Sequence, residues 1–455
     1  MNSRDIYENI KYLSLFNEID ERIENVVIDT RKVKIHDCYV GIKGENFDGN
    51  LFVKEALEKG ASLAIVERFD ASLETIKYLQ ENGKSVMVVE NTIRALGNLA
   101  RFKRSQFTSP VIAVTGSAGK TSTKDMIYSV LKQKYNAQKT IGNQNNHLGL
   151  PLTVLSLKPD ADMLVLEMGM NHLKEISYLT SIARPNVAII TNVGTAHIGN
   201  LKSRENILKA KLEILEGLAP GGKVIINKDN DLLAKWYEEN NGNYDIITIG
   251  IESDCDYKAT NVISLDNGSK FTCNGYEYFV PTPGDAFVYN ALVAIAVGYL
   301  FNIDDKNISL GIKDFELSTN RMHIIKKDGI CLIDDSYNAN FDSMKYAINY
   351  LSTLRGRNIA VLGSMKELGD YSLKLHEDIG KIAGLEDIDI LVTVGEEAKY
   401  INKGFEMYSK SLQVHFEAID DAIKYVKGII GAGDNILVKA SNSMNFKKIV
   451  EGLQT

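Results

Sequence analysis

The segment T-G-S-A-G-K-T at Thr115–Thr121 contains the residue types that bind phosphate groups. Its glycines let the backbone come close to an anion where a Cβ would obstruct the approach. Lys120 supplies a positive charge for outer phosphates, and the hydroxyl of Thr121 is a candidate ligand for Mg²⁺. The run is a shortened variant of the pattern G-x-x-x-x-G-K-[ST], because Val114 stands where that pattern has glycine. The alternative is a glycine-rich turn that carries an incidental lysine.

Two further side chains stand at the ends of predicted strands. Glu167 ends the apolar run in VLEMG, and His197 follows the run in ITNVGTAHI. Ligands of an open parallel sheet bind beyond the carboxyl ends of its strands, so both side chains are expected to face the phosphate loop. Carboxylate and hydroxyl oxygens suit Mg²⁺, and an imidazole suits a second, softer position. Taken singly, Glu167 is as consistent with a helix cap, and His197 with a packed or surface residue.

Lys211 lies fourteen residues after His197, in the run KAKLEIL. Its surroundings in the sequence predict a helix. From the residues alone it reads as a solvated lysine on that helix.

These residues need a scaffold in which strands and helices alternate. The spacing of apolar residues predicts short strands at 26–30, 38–43, 62–67 and 85–90, then longer ones at 111–117, 162–170, 187–194 and 223–229, and a last set at 329–335, 357–364, 389–397 and 434–441. Helical patterns lie between them, as in LFVKEALEKGA and in the segment that leads to Pro110. Near-continuous apolar strands separated by helices predict parallel sheets covered on both faces, which is an α/β fold.

The length of 455 residues is typical of about three domains. We place the boundaries at 1–106, 107–317 and 318–455. Hydrophobic residues make up 44% of the chain and charged residues 24%, which is the composition of a globular protein. A net charge of −7 argues against a nucleic-acid binder. The four cysteines are scattered without a C-x-x-C motif, and neither a leader peptide nor a spanning helix is apparent, so a cytoplasmic protein without membrane insertion is expected.

Several runs together carry a family resemblance. In order they are TGSAGKTSTK, GNQNNHLGLPLTVL, LEMGMNHLKEI, ITNVGTAHI, KAKLEI and DDSYNAN, preceded by IDTRKVKIHDCYVGIKGENFDG near the N-terminus. This set resembles the Mur ligases of peptidoglycan synthesis, and among them the MurF type. The resemblance extends from about residue 28 to residue 450 and is far more specific than the phosphate loop alone.

The resemblance implies an N-terminal UDP-sugar-binding α/β domain, a central P-loop-type parallel-sheet ATPase domain and a C-terminal Rossmann-like domain. It implies an ATP- and Mg²⁺-dependent ligase that adds D-Ala-D-Ala to UDP-N-acetylmuramoyl-tripeptide, through an acyl phosphate, and that acts as a monomer.

The resemblance also assigns roles to matching residues. It implies that Thr121 and Glu167 hold one Mg²⁺, and that His197 and a carbamylated Lys211 serve a second. It implies three catalytic residues, which are Lys120, His197 and Lys211. The implied nucleotide-binding residues are Thr115, Gly116, Ser117, Ala118, Gly119, Lys120, Thr121, Ser122, Asn290, Arg321 and Asp335. The implied substrate-binding residues are Thr30, Arg31, Asn143, Asn145 and Asn146, although Asn-rich stretches are also common in turns.

Several positions depart from the MurF pattern. The departures are Thr195, Ala286, Phe287, Phe341, Ser364 and Asn442. Most lie in the C-terminal half of the chain, so altered contacts with adenine or with the dipeptide are expected. Two alternatives follow: a related ligase with another amine specificity, and a non-catalytic protein that binds nucleotide or UDP-precursor.

Overall fold

The structure is a computed structural model that describes residues 1–265, 267–317 and 320–454. Four sheets occur in these ranges. Three of them are mixed or parallel sheets flanked by helices, which confirms the α/β class and the three-domain architecture. The predicted second boundary, between residues 317 and 318, touches residues outside the described ranges, and the division of the chain at 107 and 318 stays a prediction.

The N-terminal sheet has the order β1-β5-β4-β3-β2, with β1 antiparallel to β5 and the other pairs parallel. Its strands are β1 (Ser14–Phe16), β2 (Val26–Val27), β3 (Cys38–Val40), β4 (Leu63–Val66) and β5 (Ser85–Val88). The accompanying helices are α1 (Ser3–Asn9), α2 (Val53–Glu58), α3 (Leu73–Glu81) and α4 (Thr92–Gln106). The four strands predicted here are therefore present, and each is shorter than the apolar run that predicted it.

The central sheet is parallel throughout, in the order β12-β11-β10-β9-β6-β8-β7. Its strands are β6 (Val111–Thr115), β7 (Ala137–Lys139), β8 (Met163–Glu167), β9 (Val187–Ile190), β10 (Lys223–Asn227), β11 (Asp245–Gly250) and β12 (Tyr257–Lys258). The helices are α5 (Lys120–Leu131), α6 (Gly149–Leu155), α7 (Glu175–Ala183), α8 (Ile198–Leu201), α9 (Arg204–Leu212), α10 (Asp231–Asn240), α11 (Asp285–Leu300) and α12 (Asp305–Lys313). The antiparallel strands β13 (Thr260–Leu265), β14 (Gly268–Cys273) and β15 (Tyr276–Val280) form a small sheet that we did not predict.

The order of the central sheet positions the candidate residues. β6 lies between β8 and β9, with Val114 opposite Glu167 and Thr115 opposite Ile190. All three strands run in one direction, so the segments that leave their carboxyl ends meet at one edge. The phosphate loop is thereby flanked by Glu167 on one side and by the loop to His197 on the other.

The C-terminal sheet has the order β16-β17-β21-β18-β19-β20, and only β16 is antiparallel within it. Its strands are β16 (His323–Lys327), β17 (Ile330–Asp334), β18 (Arg357–Gly363), β19 (Ile390–Val394), β20 (Leu412–Phe416) and β21 (Asp434–Lys439). The helices are α13 (Phe341–Ser352), α14 (Ser372–Leu385), α15 (Lys399–Glu406), α16 (Ile419–Ile429) and α17 (Lys447–Gln454). One cluster of buried apolar side chains runs from Ile6 to Leu437 and joins the N-terminal, central and C-terminal sheets. No helix in the described ranges combines the length and apolar character needed to cross a bilayer.

Helices α14 and α15 pack through two glycines. A Cβ at Gly380 would lie 1.9 Å from the carbonyl oxygen of Ile401, and one at Gly404 would lie 1.9 Å from that of Glu377. We expect Gly404→Ala to destabilise the protein by about 1–3 kcal/mol, because the added methyl group forces the helices apart. Gly428→Ala, in α16 with open space around it, is the matched control and should be neutral or slightly stabilising. Urea unfolding of both variants tests this, and equal midpoints would contradict it.

Candidate active site

The phosphate loop connects β6 to α5, and two of its glycines have conformations that other residues rarely adopt. Gly116 has φ +155°, and a Cβ there would lie 1.8 Å from Oγ1 of Thr191. Gly119 has φ +79° and precedes the first residue of α5. Lys120 folds back, and its Nζ donates to the carbonyl oxygen of Gly116 at 2.8 Å. Glycine stands at both positions for a physical reason. Gly116 has no space for a side chain, and Gly119 has a left-handed backbone.

The residues after β9 support this loop. Oδ1 of Asn192 accepts hydrogen bonds from the amides of Ser117 and Ala118, at 3.1 and 2.9 Å. Oγ1 of Thr191 donates to the carbonyl oxygen of Ala118 at 2.7 Å. Two loop amides are thus already engaged, and the donors left for a phosphate are the N–H groups of the first turn of α5, which have no partner within the helix. A phosphate bound here would therefore be held by Lys120, Thr121 and Ser122 more than by the loop before them.

Glu167 is buried at the end of β8. Its Oε1 accepts from Nδ2 of Asn145 at 2.7 Å, whereas Oε2 is buried without a hydrogen-bond partner. A buried carboxylate oxygen without a partner is costly. A divalent cation between Oε2 and the Thr121 hydroxyl would satisfy it, so the residues fit the Mg²⁺ that the resemblance implies. No group of three or more His, Cys, Asp or Glu side chains among the described residues is arranged to hold a metal.

Lys124 is a site residue that we did not predict. Its side chain is 1% exposed, and its Nζ lies 2.9 Å from the carbonyl oxygen of Thr140, 3.2 Å from Oδ1 of Asp125 and 3.9 Å from Oε2 of Glu167. The buried cation balances the buried carboxylates. It stands one helical turn after Lys120, and that spacing is the signal in the sequence that could have revealed it.

Arg321 and Asp335 lie on the C-terminal side of the cleft. The Arg321 guanidinium lies 4.0 Å from the centre of the Tyr337 ring, and its Nε is buried without a hydrogen-bond partner. Such a donor suits an anion. Oδ2 of Asp335 lies 2.5 Å from Nζ of Lys439, a second lysine that we did not predict as a site residue. The pair is buried and orients Asp335 before any ligand binds.

The candidate asparagines have different surroundings. Oδ1 of Asn290 accepts from Oγ1 of Thr123 at 2.8 Å, which ties α11 to α5. Asn145 holds Glu167, as described above. Oδ1 of Asn146 accepts from the amides of Leu148 and Gly149 at the start of α6, as in an ordinary turn. Asn143 is exposed at the rim of the cleft.

A cavity of about 400 Å³ brings most of the predicted residues together. Those that line it are Ser117, Ala118, Gly119, Lys120, Thr121, Ser122, Asn143, Asn145, Asn146, Glu167, His197, Asn290, Arg321 and Asp335. Thr115 and Gly116 lie just behind it in the loop. Lys211, Thr30 and Arg31 are not part of its lining. Thr30–Lys32 form a short 3₁₀ helix in the N-terminal domain, where the Arg31 guanidinium is exposed and pairs with Asp29 at 2.8 Å.

Several of the departures from the MurF pattern lie in or near this cavity. Phe287 is buried and belongs to the apolar lining beside Asn290. Ser364 is buried, and its Oγ accepts from the amide of Ala398. Asn442 is exposed and donates to the carbonyl oxygen of Tyr337 at 2.9 Å. Phe287 thus makes this part of the lining apolar, whereas Ser364 and Asn442 bond within the C-terminal domain.

Lys211 is buried in α9, with 1% of its surface exposed, so the expectation of a solvated lysine is wrong. Burial lowers the pKa of Lys211 well below its usual value, the Lys120 charge lowers it further, and Asp342 raises it. Burial also lowers the pKa of Lys120, Glu167 raises it, and the Arg321 charge lowers it. A lysine with a depressed pKa has a larger neutral fraction, and the neutral amine is the form that reacts with CO₂.

His197 has a partner from the C-terminal domain. Its Nδ1 lies 2.5 Å from Oε2 of Glu367, and this contact with His197 lowers the pKa of Glu367. This contact joins residues 170 positions apart in the chain, which is why the local pattern did not predict it.

The phosphate loop, the parallel sheet and a cleft shared with the C-terminal domain are typical of a nucleotide-dependent enzyme. The chain matches the description "Mur ligase family, catalytic domain" over residues 22–104, "Mur ligase middle domain" over 114–298 and "Mur ligase, glutamate ligase domain" over 320–442. Relatives that match it over nearly their whole length bear the name UDP-N-acetylmuramoyl-tripeptide–D-alanyl-D-alanine ligase. The Bacillus subtilis protein is 38% identical, covering 95% of this chain and 93% of its own, and the Escherichia coli protein is 32% identical, covering 96% and 94%. The chain therefore belongs to the Mur ligase family, and within it to the MurF type.

Solved structures agree with this assignment. A MurF structure from Acinetobacter baumannii is similar with a TM-score of 0.90 at 29% identity, covering 99% of this chain and 98% of its own. The MurF ligase of Thermotoga maritima in complex with ADP has a TM-score of 0.83 at 27% identity, covering 94% and 97%.

We expect Lys120→Ala to reduce turnover by about 10²–10³-fold, because it removes a charge aimed at the transferring phosphoryl group. The fold should survive, since the side chain bonds only to the loop. Lys132→Ala, an exposed lysine at the end of the same helix, is the matched control. Steady-state ATP turnover with thermal unfolding tests both, and near-normal turnover in Lys120→Ala would disprove the phosphate site.

A second prediction concerns the stability cost of Lys211. Its folded pKa is below its unfolded value, so the folded state binds fewer protons, and the free energy of unfolding should rise with pH between the folded pKa and about 10.4. Lys211→Met removes the ionisable group and should unfold at a higher temperature than the parent at pH 7, with the difference shrinking by pH 10. The exposed Lys209→Met is the control, and the measurement is calorimetry in CO₂-free buffer. A less stable Lys211→Met at pH 7 would contradict the prediction.

Proposed function

We propose that this chain joins D-Ala-D-Ala to UDP-N-acetylmuramoyl-tripeptide, at the expense of ATP, in the synthesis of peptidoglycan precursors. The observation that carries the proposal is the match to relatives of that name over 95% of the chain. The cleft supports it, because Lys120, Glu167 and Arg321 present a cation, a carboxylate and a guanidinium to one space.

The chemistry needs an activated carboxylate. A carboxylate is a poor electrophile, so the γ-phosphoryl group is first transferred to it, which gives an acyl phosphate and ADP. The dipeptide amine then attacks the carbonyl carbon, and phosphate leaves from the tetrahedral intermediate. Both steps accumulate negative charge on oxygen, and preorganised cations and amides stabilise that charge.

We assign the following roles to this chain's residues. Lys120, Arg321 and the first amides of α5 hold the phosphates, while Glu167 and Thr121 hold one Mg²⁺. His197 and Lys211, the latter as a carbamate, support a second one. Bound Mg²⁺ would neutralise the phosphates and hold them in line for transfer. Asn290, Asp335 and the apolar wall at Phe287 bind the adenosine part.

The remaining assignments follow from the same reaction. We place the UDP-sugar on the N-terminal domain at Thr30 and Arg31, and the muramoyl peptide along Asn143, Asn145 and Asn146. In this proposal the domains are 1–106, 107–317 and 318–455. The enzyme is a cytoplasmic monomer with small-molecule substrates and no nucleic-acid partner.

Phosphate release from ATP tests the reaction. The assay has four arms: enzyme alone, with UDP-N-acetylmuramoyl-tripeptide, with D-Ala-D-Ala, and with both. We expect release only when both substrates are present, because the amine consumes the acyl phosphate and frees the site.

The other outcomes point to other functions. Release that requires the UDP-precursor but prefers a single amino acid over the dipeptide would indicate a ligase of another amine specificity. An absence of release with every amine tested, together with nucleotide binding, would indicate a binding protein. Lys120→Ala in the complete mixture is the negative control.

A further inference from the structure

The loop that carries His197 is held by two carboxylates of the C-terminal domain. Oδ2 of Asp342, in the first turn of α13, accepts from the amide of Thr195 at 2.9 Å and from its Oγ1 at 3.4 Å. Glu367 contacts His197 through its carboxylate, as described, and its carbonyl oxygen accepts from the amide of Gly199 at 3.0 Å. The loop from 194 to 199 is thus bonded at three successive points to another domain.

The His197 loop and the C-terminal domain approach each other so closely that two positions of the loop have no room for a side chain. A Cβ on Gly194 would lie 1.9 Å from Oδ2 of Asp342, and one on Gly199 would lie 2.6 Å from the amide nitrogen of Gly369. The Asp342 carboxylate therefore rests against bare backbone. Its position is fixed by the shape of the loop as well as by the hydrogen bonds.

The backbone of the loop needs this support. His197 has φ +64°, a left-handed conformation that is strained for a residue with a side chain and persists only where the surroundings impose it. The carbonyl oxygen of His197 accepts from the amides of Asn200 and Leu201 within the loop. The C-terminal domain adds two contacts, from Asp342 to Thr195 and from Glu367 to the imidazole.

Charge adds to the contact. Asp342 is an acid at the N-terminus of α13, where the helix dipole stabilises a negative charge. It is also the carboxylate that acts on Lys211 from across the domain boundary. One side chain therefore touches the His197 loop and influences Lys211 at the same time.

We propose that Asp342 is a positioning residue, through which the C-terminal domain fixes Thr195 and thereby sets His197 beside the phosphate loop. Docking of the C-terminal domain and orientation of His197 are then a single event. The inference rests on the proposed function, because the orientation of His197 matters only if the chain catalyses the ligase reaction.

The test observes the NMR signal of the His197 imidazole directly, in enzyme without nucleotide or metal. The chain has 7 histidines, so imidazole NMR signals are few, and His197→Gln assigns the one of interest. In Asp342→Ala we expect the His197 signal alone to shift or broaden. Asp342→Asn keeps an acceptor for Thr195 and should leave the signal nearly in place. In turnover, Asp342→Ala should lower kcat by about 10–100-fold, with KM for ATP changing far less, and Asp342→Asn should recover part of the loss.

Two further variants complete the experiment. Gly194→Ala displaces the same carboxylate without removing it, and should reproduce the signal change of Asp342→Ala. Asp378→Ala is the matched control, because Asp378 is a carboxylate of the same domain that pairs with Lys374 at the surface of α14. An unchanged His197 signal in both Asp342→Ala and Gly194→Ala would overturn the proposal, as would an equal change in Asp378→Ala. If the parent lacked ligase activity but Asp342→Ala still moved the His197 signal, the proposed function would fail and the positioning contact would stand.

Discussion

The unfavourable surroundings of two ammonium groups, those of Lys120 and Lys211, are the constraint on which the rest of the site depends. Burial lowers the pKa of Lys211 most, and the charge of Lys120 lowers it further. Burial also lowers the pKa of Lys120, and the charge of Arg321 adds to that shift. The chain has a net charge of −7, and its cleft is lined by the cations Lys120, Arg321 and Lys439 and by the carboxylates Glu167, Glu175, Asp285 and Asp335. Phosphate oxygens that entered the cleft would offset the positive charges of Lys120 and Arg321.

The surrounding carboxylates offset part of the free-energy cost of burying these positive charges. Glu167 acts on Lys120, Asp342 on Lys211, and Asp335 is paired with Lys439. These carboxylates come from different strands and domains, so they lie beside the cations only when the chain is fully folded. Oε2 of Glu167 and Nε of Arg321 are buried without a hydrogen-bond partner, and a ligand could supply one to each of them.

Local patterns predicted the parts of the site that lie within one strand–loop–helix unit. The phosphate loop, Glu167 and His197 follow strand ends, and the parallel order of β8, β6 and β9 makes neighbours of them. Two kinds of feature could not be predicted. Burial of Lys211 depends on what packs against α9, which no spacing along the helix reveals. Contacts such as Asp342 to Thr195 join residues 147 positions apart in the chain.

The cavity wall is assembled from segments of two domains, with Ser117 and Asn290 on one and Arg321 and Asp335 on the other. A ligand that touches both binds only the docked arrangement, so its binding free energy adds to the contact between the domains. Bound nucleotide would thus add to the buried apolar cluster that already joins the central and C-terminal domains, and would raise the free energy needed to separate them.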